Sequence, residues 1–290
     1  MTEQISIAVI GGSGLYSMPE ITDKVAYAIS TPYGSPSSEV VVGNLRGKRV
    51  AFLPRHGIGH VYTPSTVPYR ANIYALKTLG VRFILAVNAC GSLREDYAPG
   101  DLVIPHQLYD HTKLDRGRTF FETGLVAHIS VADPLAPELC EQVYKAAQQV
   151  PDAVVHQGGT FIIIEGPRFS TRGESEIYRQ WGCSLIGMTT CPEAFLAREA
   201  EIAYMTMAHV TDYDVWHVSE EPVTAEMVIR TFNHNIEIVQ RVLAAAIETL
   251  DEKALYAAHR ALDGALVTAP DKISAEMRAR LQPIVGRVLA

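Results

Sequence analysis

The chain has 290 residues, 48% of them hydrophobic and 20% charged, and its 25 Lys and Arg against 32 Asp and Glu leave a net charge of −7. That is enough chain to bury a sizeable core, and an acidic balance argues against nucleic acid or an anionic membrane surface, which both want a surplus of cations. No run nears the roughly 18 apolar residues that cross a bilayer. The four cysteines, Cys90, Cys140, Cys183 and Cys191, form no CxxC pair, which argues against a zinc ribbon or a disulfide framework. The opening Met1-Thr2-Glu3-Gln4 has no basic leader, so the expected setting is reducing and cytoplasmic.

In chain order, residues 5–10 read as a strand ending at Gly11-Gly12, and 40–42 and 50–53 as a hairpin around residues 44–48. Residues 67–79 carry helical spacing with Gly80 as the stop, and 81–87 is a buried strand. A short strand at 101–104 follows, then an amphipathic helix at 137–150 closed by Pro151. Strands at 160–164, 185–188 and 202–210 alternate with helices at 172–181 and 192–201. One long helix is expected over 224–250, and helical segments over 255–265 and 274–288. Strands alternating with helices of this length predict an α/β fold: a central mixed sheet flanked by helices on both faces. No linker or shift of composition falls before residue 250, so 1–250 reads as one domain and the Ala-rich 251–290 as a helical extension docked on it.

Six segments that follow strands carry chemical groups. Gly11-Gly12-Ser13-Gly14 is a glycine-lined turn, but Ser17 stands where a dinucleotide fingerprint needs its third glycine, and Leu15 breaks a nucleophile elbow. It is left as either an anion-binding turn or a plain one. Pro54-Arg55-His56-Gly57 places an Arg, whose fork can bond two phosphate oxygens, at a strand's carboxyl end. His56 and His60 are four apart, yet Gly57 and Gly59 oppose the helix that would align them on a metal. Asn88-Ala89-Cys90-Gly91-Ser92-Leu93 offers small groups; Cys90 lacks a basic neighbour in sequence and reads as a core thiol before a nucleophile.

Glu165-Gly166-Pro167-Arg168-Phe169 sets an aromatic past a strand, there to cover a planar ring or to fill the core. Met188-Thr189-Thr190-Cys191-Pro192-Glu193 brings a hydroxyl to a helix N-terminus, where free N–H groups favour anions. Thr211-Asp212-Tyr213-Asp214 supplies two carboxyls, too few for an oxygen shell around a divalent metal but suited to a heterocycle, or to a surface turn. Since strand mouths of one sheet converge on one crevice, these groups together point to an inorganic anion bound beside a heterocyclic nucleoside, with a group transferred between them. Neither a nucleophile–base pair nor a metal set is expected.

IGGSGL, PRHG, ACGSLRE, IEGPRFSTRGES, MTTCPE and TDYDVW, in this order over about residues 5–250, resemble the 5′-methylthioadenosine phosphorylases of the trimeric-type purine nucleoside phosphorylase family. The resemblance implies a single-domain phosphorylase fold. It implies a homotrimer, or a hexamer built as a dimer of trimers, and phosphate-dependent release of adenine from S-methyl-5′-thioadenosine. Phosphate is then a co-substrate and no cofactor is implied; the partners are the nucleoside and phosphate. By position, Ser13, Arg55, His56, Ala89 and Thr189 correspond to the phosphate site, with Asn88 where some members carry Thr. Met188 corresponds to the ribose-facing residue, Phe169 to the ring-packing one, and Asp212 and Asp214 to the adenine-reading, catalytic pair. His128 corresponds to a histidine lent by a neighbouring subunit. A 6-oxopurine or methylthioinosine phosphorylase on the same fold is the nearest alternative.

Overall fold

β-Branched and aliphatic runs build a mixed sheet that contains eleven strands among the described residues. The computed structural model describes residues 5–12, 14–15, 18–217, 224–234 and 236–289, without the side chains of 227 and 232–234. Ser13, an expected phosphate ligand, lies outside them. The strands are β1 (Ile7–Gly11), β2 (Thr22–Tyr27), β3 (Val40–Leu45), β4 (Lys48–Pro54), β5 (Phe83–Ser92), β6 (Leu102–Ile104), β7 (Gln107–Asp110), β8 (Val155–Gln157), β9 (Thr160–Ile163), β10 (Cys183–Gly187) and β11 (Ala203–Asp212). Helices α1 (Tyr69–Thr78), α2 (Pro137–Ala147), α3 (Arg172–Gln180), α4 (Thr190–Glu199), α5 (Ala225–His234), α6 (Ile236–Thr249) and α7 (Ala275–Leu289) flank it. α1 packs with α4 and α7, and α2 with α6.

The topology turns on β5. Its first half lies parallel to β1 on one side and to β11 on the other, while its end, at Gly91 and Ser92, pairs antiparallel with β10. One strand with three neighbours splits the sheet, and the split opens the crevice that the site occupies. β1, β4, β5 and β11 run parallel, so their carboxyl ends gather at the same mouth.

Most expected elements occur, with informative shifts. The hairpin of β3 and β4 keeps only Arg46 and Gly47 as its loop; both have positive φ, which suits a tight turn between twisted strands. β5 runs five residues further than the apolar signal of 81–87, so the Asn88–Ser92 segment is strand rather than the turn after it. α3 begins with a capping box, in which the Thr171 hydroxyl accepts from Glu174 N–H and the Glu174 carboxylate accepts from Thr171 N–H. α5 and α6 cover the span expected as one helix, and Asn235 between them lies outside the described residues. The helix expected at 255–265 is replaced by a 3-10 turn at Ala257–Arg260, because the chain must then double back to bridge Ala127 with Leu266. β2, β7 and β8 had no clear sequence signal: β2 is mostly exposed and β8 is three residues long. Leu262, Ile273, Leu281, Ile284 and Val285 join the same hydrophobic core as β1 and β5.

Candidate active site

At the shared mouth lies a cleft of about 650 Å³. Arg55, His56, Asn88, Ala89, Phe169, Met188, Thr189, Asp212 and Asp214 all border it, as do His60, Ser170, Val228 and Ile229. The residues brought together come from β4, β5, β9, β10, β11 and the segments that follow them, and from α5. His128 does not border this chain's cleft; it is exposed, on the segment tied to residues 265–267, where its N–H donates to the Ala265 carbonyl.

At one end is Arg55, only 2% exposed. Its backbone N–H donates to the Gly11 carbonyl, which ties the strand-end turn of β4 to that of β1. The fork expected to face phosphate is occupied: Nε and Nη2 donate to the two carboxylate oxygens of Glu193 at 2.7 and 2.8 Å. Nη1 donates to the Val87 carbonyl at 3.0 Å, and Nη2 also to Asn88 Oδ1 at 3.4 Å. Burial by itself lowers the guanidinium's pKa, but the Glu193 carboxylate beside it raises it on balance.

Asn88 acts on its neighbours. Its Oδ1 accepts from the Thr206 hydroxyl and its amide donates to Thr189 Oγ1, each at 2.8 Å. With its oxygen accepting that bond, the Thr189 hydroxyl keeps its own proton for the cleft. His56 Nδ1 is 2.8 Å from the Tyr62 carbonyl, which only accepts, so Nδ1 carries the proton and Nε2 is left to titrate. Burial pushes the ring down to about 4, with the Arg55 charge adding to the effect. The His60 ring stacks on it at 4.2 Å and 7°.

At the other end are the two carboxyls, Asp212 at 7% and Asp214 at 5% exposure. The ladder between β11 and β5 shifts register between Val210 and Asp212, which places Asp212 opposite Gly91. Such a bulge re-aims side chains, and here Thr211 and Asp212 both reach the cleft. Asp212 Oδ2 accepts from the Thr211 hydroxyl at 2.7 Å and Oδ1 from Asp214 N–H at 2.8 Å. Burial outweighs these bonds and, with the Asp214 charge, pushes the Asp212 carboxyl up to about 6. Burial raises Asp214 as well. Among the described residues the Ser170 hydroxyl is buried without a hydrogen-bond partner, a polar atom at this end that a ligand can satisfy, while the Asp214 carboxyl faces the Ser175 hydroxyl and the Val215 N–H.

A brace outside the expected set holds the mouth. Arg116, with its side chain wholly buried, pairs with Glu165 Oε1 at 2.8 Å and donates to the Met188 carbonyl at 2.6 Å. It also reaches the Cys191 carbonyl and Ser65. Burial works against the Glu165 charge, yet Ser65, the Leu114 and Lys113 N–H groups and Arg116 hold its carboxyl down to about 2. Gly166, at φ 60°, lies where a Cβ would come within 2.5 Å of Met188 Sδ, so the turn needs glycine. Sequence reasoning gives Arg116, Glu193 and Ser170 no role, and weighs His60 only as half of a metal pair. Glu193 and Ser170 sit inside quoted motifs, but only the fold shows what they face. Cys90 is buried as expected, with its thiol raised by burial, and it also borders the cleft.

Residues 6–248 match the model of the family described as the phosphorylase superfamily. The chain is 55% identical over 282 residues to the S-methyl-5′-thioadenosine phosphorylase of Chloroflexus aurantiacus, covering 97% of this chain and 98% of that one. It is 51% identical over 265 residues to that of Thermofilum pendens, with 91% and 100% covered. Among solved structures it resembles a methylthioadenosine phosphorylase from an antarctic soil metagenomic library at TM-score 0.92 and 50% identity, over 97% and 99% of the chains. It also resembles the Schistosoma mansoni methylthioadenosine phosphorylase in complex with adenine, at TM-score 0.80 and 38% identity, over 86% and 94%.

Proposed function

The chain belongs to the phosphorylase superfamily and, within it, to the family of the S-methyl-5′-thioadenosine phosphorylases, and we propose that it cleaves S-methyl-5′-thioadenosine with phosphate to adenine and 5-methylthioribose 1-phosphate. The observation that carries this reading is one cleft with a buried carboxyl pair at one end and Arg55, His56 and Thr189 at the other. Phosphate enters as a co-substrate, and the chemistry asks for no cofactor.

Phosphorolysis loosens the bond between the sugar and N9 of adenine until the ribose resembles an oxocarbenium ion. The leaving purine is stabilised by a proton at N7. Asp212, raised by burial, is the donor available near neutral pH, and general-acid help of this kind contributes about 10²–10⁴-fold. As an acid its carbonyl oxygen can also accept from the 6-amino group, which a 6-oxopurine cannot supply, at a cost of about 1–3 kcal/mol for the unpaired group. The Asp214 carboxyl and the Ser170 hydroxyl complete the base end. At the other end Arg55, the Thr189 hydroxyl and the Ala89 backbone hold phosphate beside the cationic carbon, and Ser13, outside the described residues, is kept as a phosphate ligand on the resemblance alone. Phe169 packs on the ring and Met188 on the ribose. Val228 and Ile229 offer an apolar wall suited to a thioether rather than a hydroxyl. His128, off this chain's cleft, is assigned to a neighbouring subunit's site; the working form is a homotrimer, alone or paired as a hexamer, acting in the cytoplasm. The domain reading is one phosphorylase unit over 1–250 with 251–290 docked on it.

Incubating the protein with the nucleoside, with and without phosphate, and measuring free adenine tests the reaction. Adenine that appears only with phosphate is expected. Turnover of methylthioinosine in its place would overturn the 6-amino reading. Asp212→Asn should cost at least about a hundredfold in kcat/KM on 6-amino nucleosides and far less on 6-oxo ones, since the amide can donate to O6.

A further inference from the structure

Arg55 has five N–H donors, as any guanidinium does. Among the described residues four are engaged: Nε and one Nη2 hydrogen on Glu193, the second Nη2 hydrogen on Asn88, and one Nη1 hydrogen on Val87. The fifth, on Nη1, is the one left for the cleft that Arg55 borders. Glu193 is 0% exposed and does not border the cleft. Its Oε1 accepts a further bond from the Tyr204 hydroxyl at 2.9 Å, inside the core. The bidentate contact gives this pair the geometry that makes a buried ion pair rigid.

Resting on the proposed phosphorolysis, we propose that Glu193 is a positioning residue and internal counter-ion of the phosphate end. It keeps the fork of Arg55, so the bound anion receives a single Nη1 N–H, and it cancels the charge that would otherwise grip the anion. Phosphate must leave covalently attached to the sugar in every turnover. An Arg55 with its charge unshared and its fork free would hold the ground-state anion and the product equally well, and such uniform binding adds nothing to turnover. A neutral, rigid Arg55–Glu193 unit instead fixes the nucleophile's direction without trapping it. Asn88 and Val87 hold the same guanidinium from the β5 side, so its plane is set by two elements.

Glu193→Gln keeps the side chain's shape and removes its charge. Calorimetric titration with inorganic phosphate, with no nucleoside present, should show binding at least about tenfold tighter than wild type. Adenine affinity should stay within about twofold, and kcat should fall about tenfold or more. Damage to the fold would weaken phosphate and adenine together, so tighter phosphate binding is not a structural side effect. Unchanged or weaker phosphate binding with adenine binding intact would overturn the proposal. The wild-type protein provides a second test that needs no variant: in a crystal structure with phosphate, Nε and Nη2 of Arg55 should remain on Glu193, with Nη1 alone on the anion. A fork turned onto phosphate would overturn it. Because phosphate binding is read without turnover, a wild type that releases no adenine would defeat the proposed reaction while the role of Glu193 was still decided.

Discussion

Asp212 stands between opposing forces. The Thr211 hydroxyl and the Asp214 N–H favour its anion, while burial and the Asp214 charge favour the acid, and the acid prevails up to about pH 6. The sign of the pH effect follows. The folded pKa is raised above the ordinary value of 3.8, so the stability this group contributes is fully present below 3.8 and is lost as pH rises through about 6. The melting temperature of wild type should therefore fall relative to Asp212→Asn across that window, as calorimetry of both proteins would show. In the proposed mechanism the same titration removes the proton donor, so kcat/KM for the nucleoside should decline above about pH 6, and Asp212→Asn should lack that limb. A wild-type profile flat to pH 9 would deny Asp212 the acid role. From sequence, Asp212 was legible as a carboxyl past a strand, because its residue type and place are local facts. Its raised pKa was not, since desolvation depends on groups far along the chain.

Among the elements, the crossing of β5, β10 and β11 does most to shape the base end. The bulge before Asp212 needs a partner strand that makes room, and Gly91 makes it. A Cβ at Gly91 would lie 3.0 Å from Asp212 Oδ1, 3.0 Å from Ile186 Cγ2 and 3.2 Å from Asp214 Cβ. Gly91→Ala should shift the two carboxyls by a few tenths of an ångström. Overpacking of this kind costs about 1–3 kcal/mol. The expected result is a folded protein with kcat/KM lowered at least about tenfold and a phosphate affinity near that of wild type; steady-state kinetics with phosphate calorimetry would check it. Their apolar runs located β5 and β11 in the sequence, but not the extra residue between them. A bulge is a property of two paired strands, and neither strand alone carries its signature. The same limit explains 255–265, whose composition suits a helix while the pairing of Leu266 with Ala127 demands a turn.

At the scale of the molecule, His128 is exposed and lies off the lining of this chain's cleft. If the working form is the homotrimer, light scattering should give three times the chain mass, and a monomer would remove His128 from the mechanism. Mixing offers a sharper check. His128→Ala and Asp212→Asn proteins, each impaired, should regain activity when unfolded and refolded together, because mixed trimers set an intact His128 beside an intact Asp212. No recovery would place His128 outside the site.

The sequence by itself determined the α/β class, the order of strand-end motifs and the chemical inventory of an anion and a heterocycle, because periodicity and residue type are carried locally. It also separated global from local charge: a net charge of −7 argues against polyanion partners, while the proposed phosphate site asks only for a few groups at strand ends. Tertiary structure alone decided how those groups are used. It set Glu193 on the fork of Arg55 across 138 residues, gave Thr189 its free proton through Asn88, and lifted Asp212 by burial. Hydrogen-bond partners and desolvation belong to a three-dimensional neighbourhood, and that neighbourhood exists only once the sheet has split around β5.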